Sequence, residues 1–307
     1  HNFRLACNER QYSTPPSIQV QRGCVTGMAI VKGKICAVGG DGVFVLKSEN
    51  NEKLVLPRCG VQYDLPKVNR KIGKDCFYDG NAHSFTLFKN KIYCAAGNDG
   101  VITLDLNGKV LNRRKIDGYC CDVIAYKNLI VSAEGSRGVA VYDPSNMNEL
   151  ARFDFGIAKP VRELVLLGDY IGVQAGSRSV GVIKICISRG EKVSVRSVGD
   201  LRETGMLYYR HLSRTLVSDK LLAIPLLDGP RIFGVSAHGL KEEPDNLNLT
   251  ICPFEGGACG YGGGMIILRD GNYYFVKSAA CVGPIAVERA ELKGVPFVCG
   301  NKLVILN

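Results

Sequence analysis

The sequence predicts an all-β chain built from copies of one strand unit. An apolar strand, a tight polar turn and a second apolar strand recur seven times along the 307 residues. The copies are spaced about 44 residues apart on average, which leaves room for four short antiparallel strands in each. The last copy, 296–306, stops after its second strand, whereas 2–8 and 17–23 resemble a third and a fourth strand. This pattern predicts a single domain, 1–307, folded as a seven-bladed β-propeller in which N- and C-terminal strands share one blade and close the ring.

Within each unit, the hairpin turns use residues that tolerate a positive φ or bond their own backbone. The predicted hairpins are 28–38, 86–96, 123–133, 164–174, 215–225, 265–276 and 296–306. Gly-containing corners leading to third strands are predicted at 39–46, 97–104 and 134–142, with looser examples at 228–235 and 282–288. Fourth strands are predicted at 52–57, 109–114, 149–155 and 192–198.

Two long segments do not fit the repeat. The segment 58–80 is predicted to be an insertion between the first and second blades, and 239–262 one between the fifth and sixth. Insertions in repeat arrays fall on loops and often on the working face, although a loop without a role is the simpler interpretation. The sixth hairpin leaves space for only three strands, so six blades is the alternative count.

The repeats contain no tryptophan, which argues against WD40, kelch and Trp-docked quinoprotein blades. The segment "EGSRGVAVYDPSNMNELARFDFG" (134–156) resembles LVIVD and YVTN-type repeats, in which a Gly-Val-x-Val-x-Asp strand leads to a polar turn. The segment "NKIYCAAGNDGVITLDLNGKVL" (90–111) resembles the same group and also Trp-less NHL or PQQ-like blades. This resemblance implies a binding or scaffold module, often at cell surfaces, with no particular active site.

The candidate binding residues lie in the corners between second and third strands, which we expect to surround one mouth of the central channel. They are Asp41, Asp99, Glu134, Arg137, Arg178 and Asp228. A ring of acids and arginines suits a cation, a sugar acid or the charged loop of a partner. Tight corners also favour Asp and Gly on their own account, so turn chemistry alone is the competing explanation.

Catalytic motifs are weak, and no catalytic residue, metal site or cofactor is predicted. Ser236 and His238 lie two apart on one predicted strand without an orienting acid, and the Gly-rich stretch 256–264 lacks the Lys-Ser/Thr of a P-loop. An enzyme resembling propeller lactonases or dehydrogenases, with Asp41, Asp99 and Asp228 at the channel, is the alternative.

Thirteen cysteines are present. Cys36 and Cys94 occupy the same place in two blades and are predicted to be buried small hydrophobes. Cys59 and Cys76 bracket the first insertion, and Cys252 and Cys259 bracket the Gly-rich loop, so these pairs are the disulfide candidates. Disulfides favour an extracellular, cell-surface or viral-surface location, with a hyperthermophile cytoplasm as the alternative.

The formal net charge is +10, and a predicted basic patch lies in the first insertion. Its residues are Arg58, Lys67, Arg70, Lys71 and Lys74, with a second cluster at 113–115. A polyanion such as nucleic acid is therefore an alternative partner. No apolar run is long enough to cross a membrane, so no membrane insertion is expected. The sequence favours a non-catalytic interaction or structural module that binds a protein or glycan through one propeller face and the insertions, within a larger assembly.

Overall fold

The structure is a computed structural model in which the regular elements of the described residues are all β-strands. The described residues are 25–40, 42–45, 47–49, 53–55, 76–78, 80–156, 159–176, 179–188, 192–198, 202–203, 216–218, 221–226, 229–242, 258–261, 264–269, 272–277, 280–284, 295–299 and 302–306. Side chains are described from Gly27 to Val198, apart from the gaps and 47–76, and again for 233–242. In these parts of the chain we find no helix of the length and apolarity needed to span a membrane.

The strands of sheets 1 to 4 follow one another in chain order and pair antiparallel. Sheet 1 contains β1 (Val25–Val31), β2 (Lys34–Gly39), β3 (Gly42–Val45) and β6 (Cys76–Tyr78), and β4 (Lys47–Glu49) pairs separately with β5 (Lys53–Val55). Sheet 2 contains β7 (Ser84–Phe88), β8 (Lys91–Ala95), β9 (Val101–Asp105) and β10 (Val110–Arg114). Sheet 3 contains β11 (Asp122–Tyr126), β12 (Leu129–Ala133), β13 (Val139–Tyr142) and β14 (Glu149–Phe153). Sheet 4 contains β15 (Val161–Leu167), β16 (Tyr170–Ala175), β17 (Ser179–Ile187) and β18 (Val193–Ser197), with β19 (Arg202–Glu203) paired to β17.

The remaining strands continue the same order. Sheet 5 contains β20 (Leu216–Ser218), β21 (Leu221–Leu226), β22 (Gly229–Ser236) and β23 (Gly239–Glu242). Sheet 6 contains β24 (Ala258–Tyr261), β25 (Gly264–Arg269), β26 (Asn272–Lys277) and β27 (Ala280–Pro284). Sheet 7 has two described strands, β28 (Val295–Cys299) and β29 (Lys302–Leu306).

The first strand of each sheet contacts the first strand of the next, from β1 through β7, β11, β15, β20 and β24 to β28. The strand β28 contacts β1 as well as β24. The first strands are therefore innermost, and the fourth strands lie on the outside. Because each sheet is a sequential antiparallel meander, its first and third turns lie at one end and its second turn at the other.

The core lies between neighbouring sheets. Ile92 and Tyr93 are adjacent on β8 and both fully buried, one packing toward sheet 1 and the other toward sheet 3. Ile130 and Val131 on β12 repeat this arrangement toward sheets 2 and 4. Successive side chains on a strand point to opposite faces, and here both faces are covered, so these strands are nearly continuous apolar runs. Burying each large apolar side chain stabilises the fold by about 1.5–3 kcal/mol.

A glycine begins the third strand, or immediately precedes it, where the fourth strand comes too close for a side chain. Gly138 has a φ of 80°, and a Cβ on it would lie 2.1 Å from the carbonyl oxygen of Phe153. A Cβ on Gly100 would lie 2.2 Å from the carbonyl oxygen of Arg114, and a Cβ on Gly42 would lie 1.8 Å from that of Tyr78. The corner glycines seen in the sequence are therefore required by the packing of the outermost strand.

This relation corrects the predicted fourth strand of the first unit. The segment 52–57 was expected to fill that place, but Lys53–Val55 pairs with Lys47–Glu49 in a separate hairpin. The fourth strand is Cys76–Tyr78, inside the segment 58–80 that the spacing placed between blades. An outer strand can be as short as three residues, as Cys76–Tyr78 is. A segment of that length is too short to show a strand pattern, so the sequence alone did not discriminate between it and 52–57.

The segment 239–262 is corrected in the same way, because its two ends are strands. Gly239–Glu242 is the fourth strand of sheet 5 and Ala258–Tyr261 is the first strand of sheet 6. The predicted hairpin 265–276 is therefore the second and third strands of its sheet, and Ala280–Pro284 is the fourth. This shift explains the short spacing after the sixth hairpin. A hairpin pattern in the sequence is the same whether the hairpin forms the first and second strands of a sheet or the second and third.

Candidate functional site

The described corner residues lie on a repeated second turn. In sheet 2 the N–H of Ala96 donates to the carbonyl of Gly100 at 2.8 Å, and in sheet 3 the N–H of Glu134 donates to that of Gly138 at 2.8 Å. Paired backbone hydrogen bonds join each turn to the start of the next sheet, between Gly97 and Cys120 and between Gly135 and Val161. The turn thus ties neighbouring sheets together and holds its side chains in defined positions.

Asp99 contacts the fourth strands of two sheets. Its Oδ2 accepts a hydrogen bond of 2.7 Å from the hydroxyl of Tyr78 on β6, and Arg113 Nη1 of β10 lies 3.9 Å from the same atom. Burial, followed by the hydrogen bond to Asp99, raises the pKa of Tyr78, so the phenol stays protonated and donates at all ordinary pH values. Asp99 therefore links the outer edges of sheets 1 and 2.

Glu134 is completely buried and surrounded by donors. Its Oε1 accepts hydrogen bonds from Ser132 Oγ at 2.8 Å and from the hydroxyl of Tyr142. Its Oε2 lies 2.9 Å from Arg152 Nη2 on β14 and 4.0 Å from Arg137 Nε. A buried carboxylate needs such compensation, because transfer of an unpaired charge out of water is very unfavourable.

Arg137 therefore lies beside Glu134, and its Nη1 is also 3.7 Å from Asp117 Oδ2. Glu134 and Arg137 are therefore in contact, whereas Asp99 contacts other residues, Tyr78 and Arg113. Asp41, Arg178 and Asp228 lie outside the described residues, as does the basic patch Arg58, Lys67, Arg70, Lys71 and Lys74. A binding role for all of these residues stays a prediction.

A buried acid at the start of an innermost strand was not among the candidates. Asp122 on β11 is 4% exposed, and its carboxylate accepts the N–H groups of Val123 and Leu164, each at 2.8 Å. The Ser84 hydroxyl also donates to the carboxylate. These contacts join the first strands of sheets 2, 3 and 4. The signal in the sequence is positional, because Ser84, Asp122 and Glu163 pair with Ala95, Ala133 and Gln174 at equivalent places in their sheets.

Burial, which has the largest effect, and the nearby Glu163 together raise the pKa of Asp122 to about 6, against the opposing effect of the hydrogen bonds from Ser84, Leu164 and Val123. In the unfolded chain an Asp titrates near 3.9. Because the folded pKa is the higher one, the contribution of Asp122 to stability is fully present below about pH 4 and is lost as the pH rises through 6.

We therefore expect Asp122→Asn to change the pH dependence of unfolding. Relative to this variant, the parent protein should gain up to about 3 kcal/mol when the pH falls from 7 to 4, from a shift of about two pKa units. Urea denaturation at several pH values measures the difference. Asp169→Asn is the control, because Lys127 lies 3.0 Å from that exposed carboxylate and lowers its pKa, so its effect has the opposite sign. Parallel stability curves for the parent and Asp122→Asn would contradict the interpretation.

Two further polar groups lie just before the first strands of sheets 2 and 3. His83 Nε2 and the hydroxyl of Tyr119 are 2.6 Å apart, and that hydroxyl donates to Asn81 Oδ1 at 3.3 Å. His83 and Tyr119 are each 7% exposed. Among the residues the structure describes, no group of three His, Cys, Asp or Glu side chains is placed to hold a metal ion. The arrangement supports hydrogen bonding between sheets.

The cysteines with described side chains are free thiols at Cys36, Cys94, Cys120, Cys121 and Cys186. Cys36 and Cys94 are fully buried, which confirms that they act as small core residues. Burial raises the pKa of Cys36 to about 11 and that of Cys121 to about 12, so these thiols are protonated at neutral pH. The side chains of Cys59, Cys76, Cys252 and Cys259 lie outside the described residues, and their pairing stays a prediction.

The opposite end of the sheets carries lysines on its first turns. We call this surface the lysine turn face and define it by Lys32, Lys34, Lys89, Lys91 and Lys127. Lys32, Lys89 and Lys127 occupy turns with positive φ, and Lys34 and Lys91 begin the second strands of sheets 1 and 2. The face is formed by the two-residue hairpin turns that join the first strands to the second strands.

Comparison with known proteins identifies the fold only. No protein-family model matches the chain, and no curated protein does. The β-propeller domain of Myceliophteria thermophila Cps50 (Swd1) matches 92% of this chain and 91% of its own at 12% identity and a TM-score of 0.55. The WD40 propeller domain of Doa1 matches 89% of this chain and 85% of its own at 11% identity and a TM-score of 0.53. PorZ of Porphyromonas gingivalis, a surface component of the type-IX secretion system, matches 87% of this chain over 34% of its own, at 15% identity and a TM-score of 0.50.

Together with the sequential four-stranded antiparallel sheets, these similarities show that the chain folds as an all-β propeller. At sequence identities of 11 and 12%, the similarity is one of backbone fold, and it does not show to which family of propeller repeats the blades belong. The resemblance to LVIVD and YVTN-type repeats therefore stays a prediction.

Proposed function

We propose that the protein is a non-catalytic interaction module that binds a partner on one face of a closed, seven-bladed propeller spanning 1–307. The contact of β28 with both β24 and β1 supports closure of the ring. Sheet 7 has two described strands, and the N-terminal segments 2–8 and 17–23 would supply its third and fourth. We expect the partner to be a protein or a glycan.

The observation that carries the proposal is the environment of the corner acids. Asp99 and Glu134 accept hydrogen bonds from tyrosine and serine hydroxyls and lie beside arginines of the outer strands. Both carboxylates therefore have a structural role between strands, which supports a rigid scaffold better than a catalytic ring. A rigid scaffold leaves recognition to the exposed turns and insertions.

The predicted basic patch favours one face. The connection from β3 to β6, residues 46–75, leaves sheet 1 and returns to it at the end that carries the first turns. Arg58, Lys67, Arg70, Lys71 and Lys74 all belong to this connection. The insertion and the lysine turn face are thus neighbours in topology, and we propose that they form one recognition surface.

The test replaces 58–74 with a short Gly-Ser linker, which leaves Cys76–Tyr78 in place as the fourth strand. Chemical crosslinking of the full chain in an extract of its source cells should capture a saturable, stoichiometric partner. We expect the linker variant to lose this partner and Asp99→Asn to keep it. If the protein is instead an enzyme with a site at the channel mouth, its ligand binding should depend on the corner acids and not on 58–74. Stoichiometric binding of Ca²⁺, Mg²⁺ or Zn²⁺ by calorimetry, abolished in Asp41→Asn/Asp99→Asn, would overturn the interaction module.

A further inference from the structure

Three consecutive sheets place a lysine where the backbone disfavours it. Lys32, Lys89 and Lys127 are the first residues of their hairpin turns and have φ values of 49°, 47° and 52°. The equivalent residue of sheet 4 is Gly168, with a φ of 63°. Glycine, asparagine or aspartate is the common choice in this conformation, because a longer side chain crowds the backbone. Turn formation therefore does not explain the lysines.

Residues kept in sparsely populated backbone regions concentrate at functional sites, where the surrounding structure holds them. Two of these lysines are also held by a neighbouring ring. Lys89 Nζ lies 5.3 Å from the centre of the Phe88 ring, and Lys127 Nζ lies 5.1 Å from that of Tyr126. These contacts orient the ammonium groups before a ligand arrives, which lowers the entropy lost on binding.

Further lysines repeat at a second position. Lys34 and Lys91 begin β2 and β8 at the same register, opposite Val31 and Phe88, and neither forms an ion pair with a described residue. Lys302 begins β29 at the corresponding register in sheet 7, which adjoins sheet 1 through β28 and β1. Basic residues therefore occupy this end of the consecutive sheets 7, 1, 2 and 3.

The acids nearest to these lysines lie on the third turns, where they accept hydrogen bonds within their own turns and also interact electrostatically with Lys32 and Lys89. Asp105 Oδ1 accepts the N–H groups of Asn107 and Lys109, each at 2.8 Å, and these bonds lower its pKa. Asp143 Oδ1 accepts the hydroxyl and the N–H of Ser145 at 2.7 and 2.8 Å. Among the described lysines of the face, Lys127 alone has an acid within ion-pair distance, at Asp169. Among the described residues, the five lysines of the face outnumber the three acids Asp105, Asp143 and Asp169, so the face keeps a net positive charge that attracts anions.

We propose that the lysine turn face binds an acidic polypeptide segment of a partner protein. This inference rests on the proposed interaction function and names the chemistry of the partner. Nucleic acid is less well matched, because single strands bind by stacking their bases on aromatic rings, and Phe88 and Tyr126 are covered by their own lysines. The face also uses lysine rather than arginine, whose planar fork is the better match for phosphate.

The first experiment measures binding of a fluorescein-labelled oligoglutamate by fluorescence anisotropy at low and physiological salt. Lys34→Gln/Lys89→Gln/Lys91→Gln should weaken binding at least about tenfold, because three ammonium groups are removed from one surface. The control triple, Arg113→Gln/Lys115→Gln/Lys159→Gln, removes the same charge near the second turns and should retain binding within about twofold. Equal losses in both triples would overturn the proposal, as would tighter binding of an oligonucleotide of matched charge that competes at the same lysines.

The second experiment separates a binding role from a structural one. Lys32→Asn places asparagine before Gly33, the dipeptide that hairpin turns of this type prefer. We expect its thermal midpoint to rise by about 1 °C while its affinity for the oligoglutamate falls about threefold. A lower midpoint would show that the lysine supports the turn and would contradict the proposal. If crosslinking captures a partner that the triple lysine variant binds as well as the parent protein does, the inference about the lysine turn face is wrong, but the proposed interaction function is still supported. If no partner is captured, both fail.

Discussion

Gly138→Ala is expected to lower the free energy of unfolding by about 4 kcal/mol. A Cβ at this position would lie 2.1 Å from the carbonyl oxygen of Phe153, and the φ of 80° disfavours alanine in addition. The clash is with backbone, so relief requires β14 to move away from β13 and weakens the hydrogen bonds between them. Urea denaturation followed by circular dichroism measures the loss.

Gly33→Ala is the matched control. Gly33 has a φ of 75°, close to that of Gly138, but a Cβ there would have no neighbour within 4 Å. Only the backbone penalty remains, so we expect a loss of about 1 kcal/mol. Similar losses in both variants would mean that the approach of the fourth strand does not dictate the glycine.

Arg152→Met is expected to lower the free energy of unfolding by about 3–4 kcal/mol at neutral pH, because it leaves a buried carboxylate without its closest cation. Glu134 has no exposed surface, and Arg152 Nη2 is 2.9 Å from its Oε2. The hydroxyls of Ser132 and Tyr142 remain as donors but bring no charge. Denaturation of the purified variant measures the loss.

The double variant Arg152→Met/Glu134→Gln tests the cause. Removal of the buried charge should restore part of the stability lost in Arg152→Met, since glutamine can still accept a hydrogen bond from a hydroxyl. Arg113→Met is the control, because Arg113 is exposed and lies 3.9 Å from Asp99, and such pairs contribute less than about 1 kcal/mol. A double variant less stable than Arg152→Met would contradict this account.

The local pattern was a reliable guide to hairpins and a poor guide to their place in a sheet. The segment 123–133 was predicted as a hairpin and forms β11 and β12, because a two-residue turn between apolar strands is a local signal. The segment 265–276 also forms a hairpin, but as the second and third strands of sheet 6. The alternation of apolar residues in this segment is the same in either position, so only the pairing of β25 with β24 decided between them.

The candidate site shows the same division. The corner pattern identified Asp99, Glu134 and Arg137 as a related set, since they lie on equivalent turns. It did not indicate that Glu134 is buried against Arg152, a residue on the outer strand of the same sheet. Asp122 was missed because a single acid at the start of an apolar strand stands out only when equivalent positions of several sheets are compared, and its partner Leu164 is on the next sheet.

The sequence by itself determined that the chain is a repeat of short antiparallel strands, that glycines mark the corners, and that Cys36 and Cys94 are core residues. These features depend on neighbours along the chain and on the period of two that any strand imposes on its side chains. Only the tertiary structure decided that Cys76–Tyr78 completes sheet 1, that Asp122 joins three inner strands, and that the lysines of successive sheets share one face. Those relations arise when neighbouring sheets pack together, so they depend on distances between residues that are far apart in sequence.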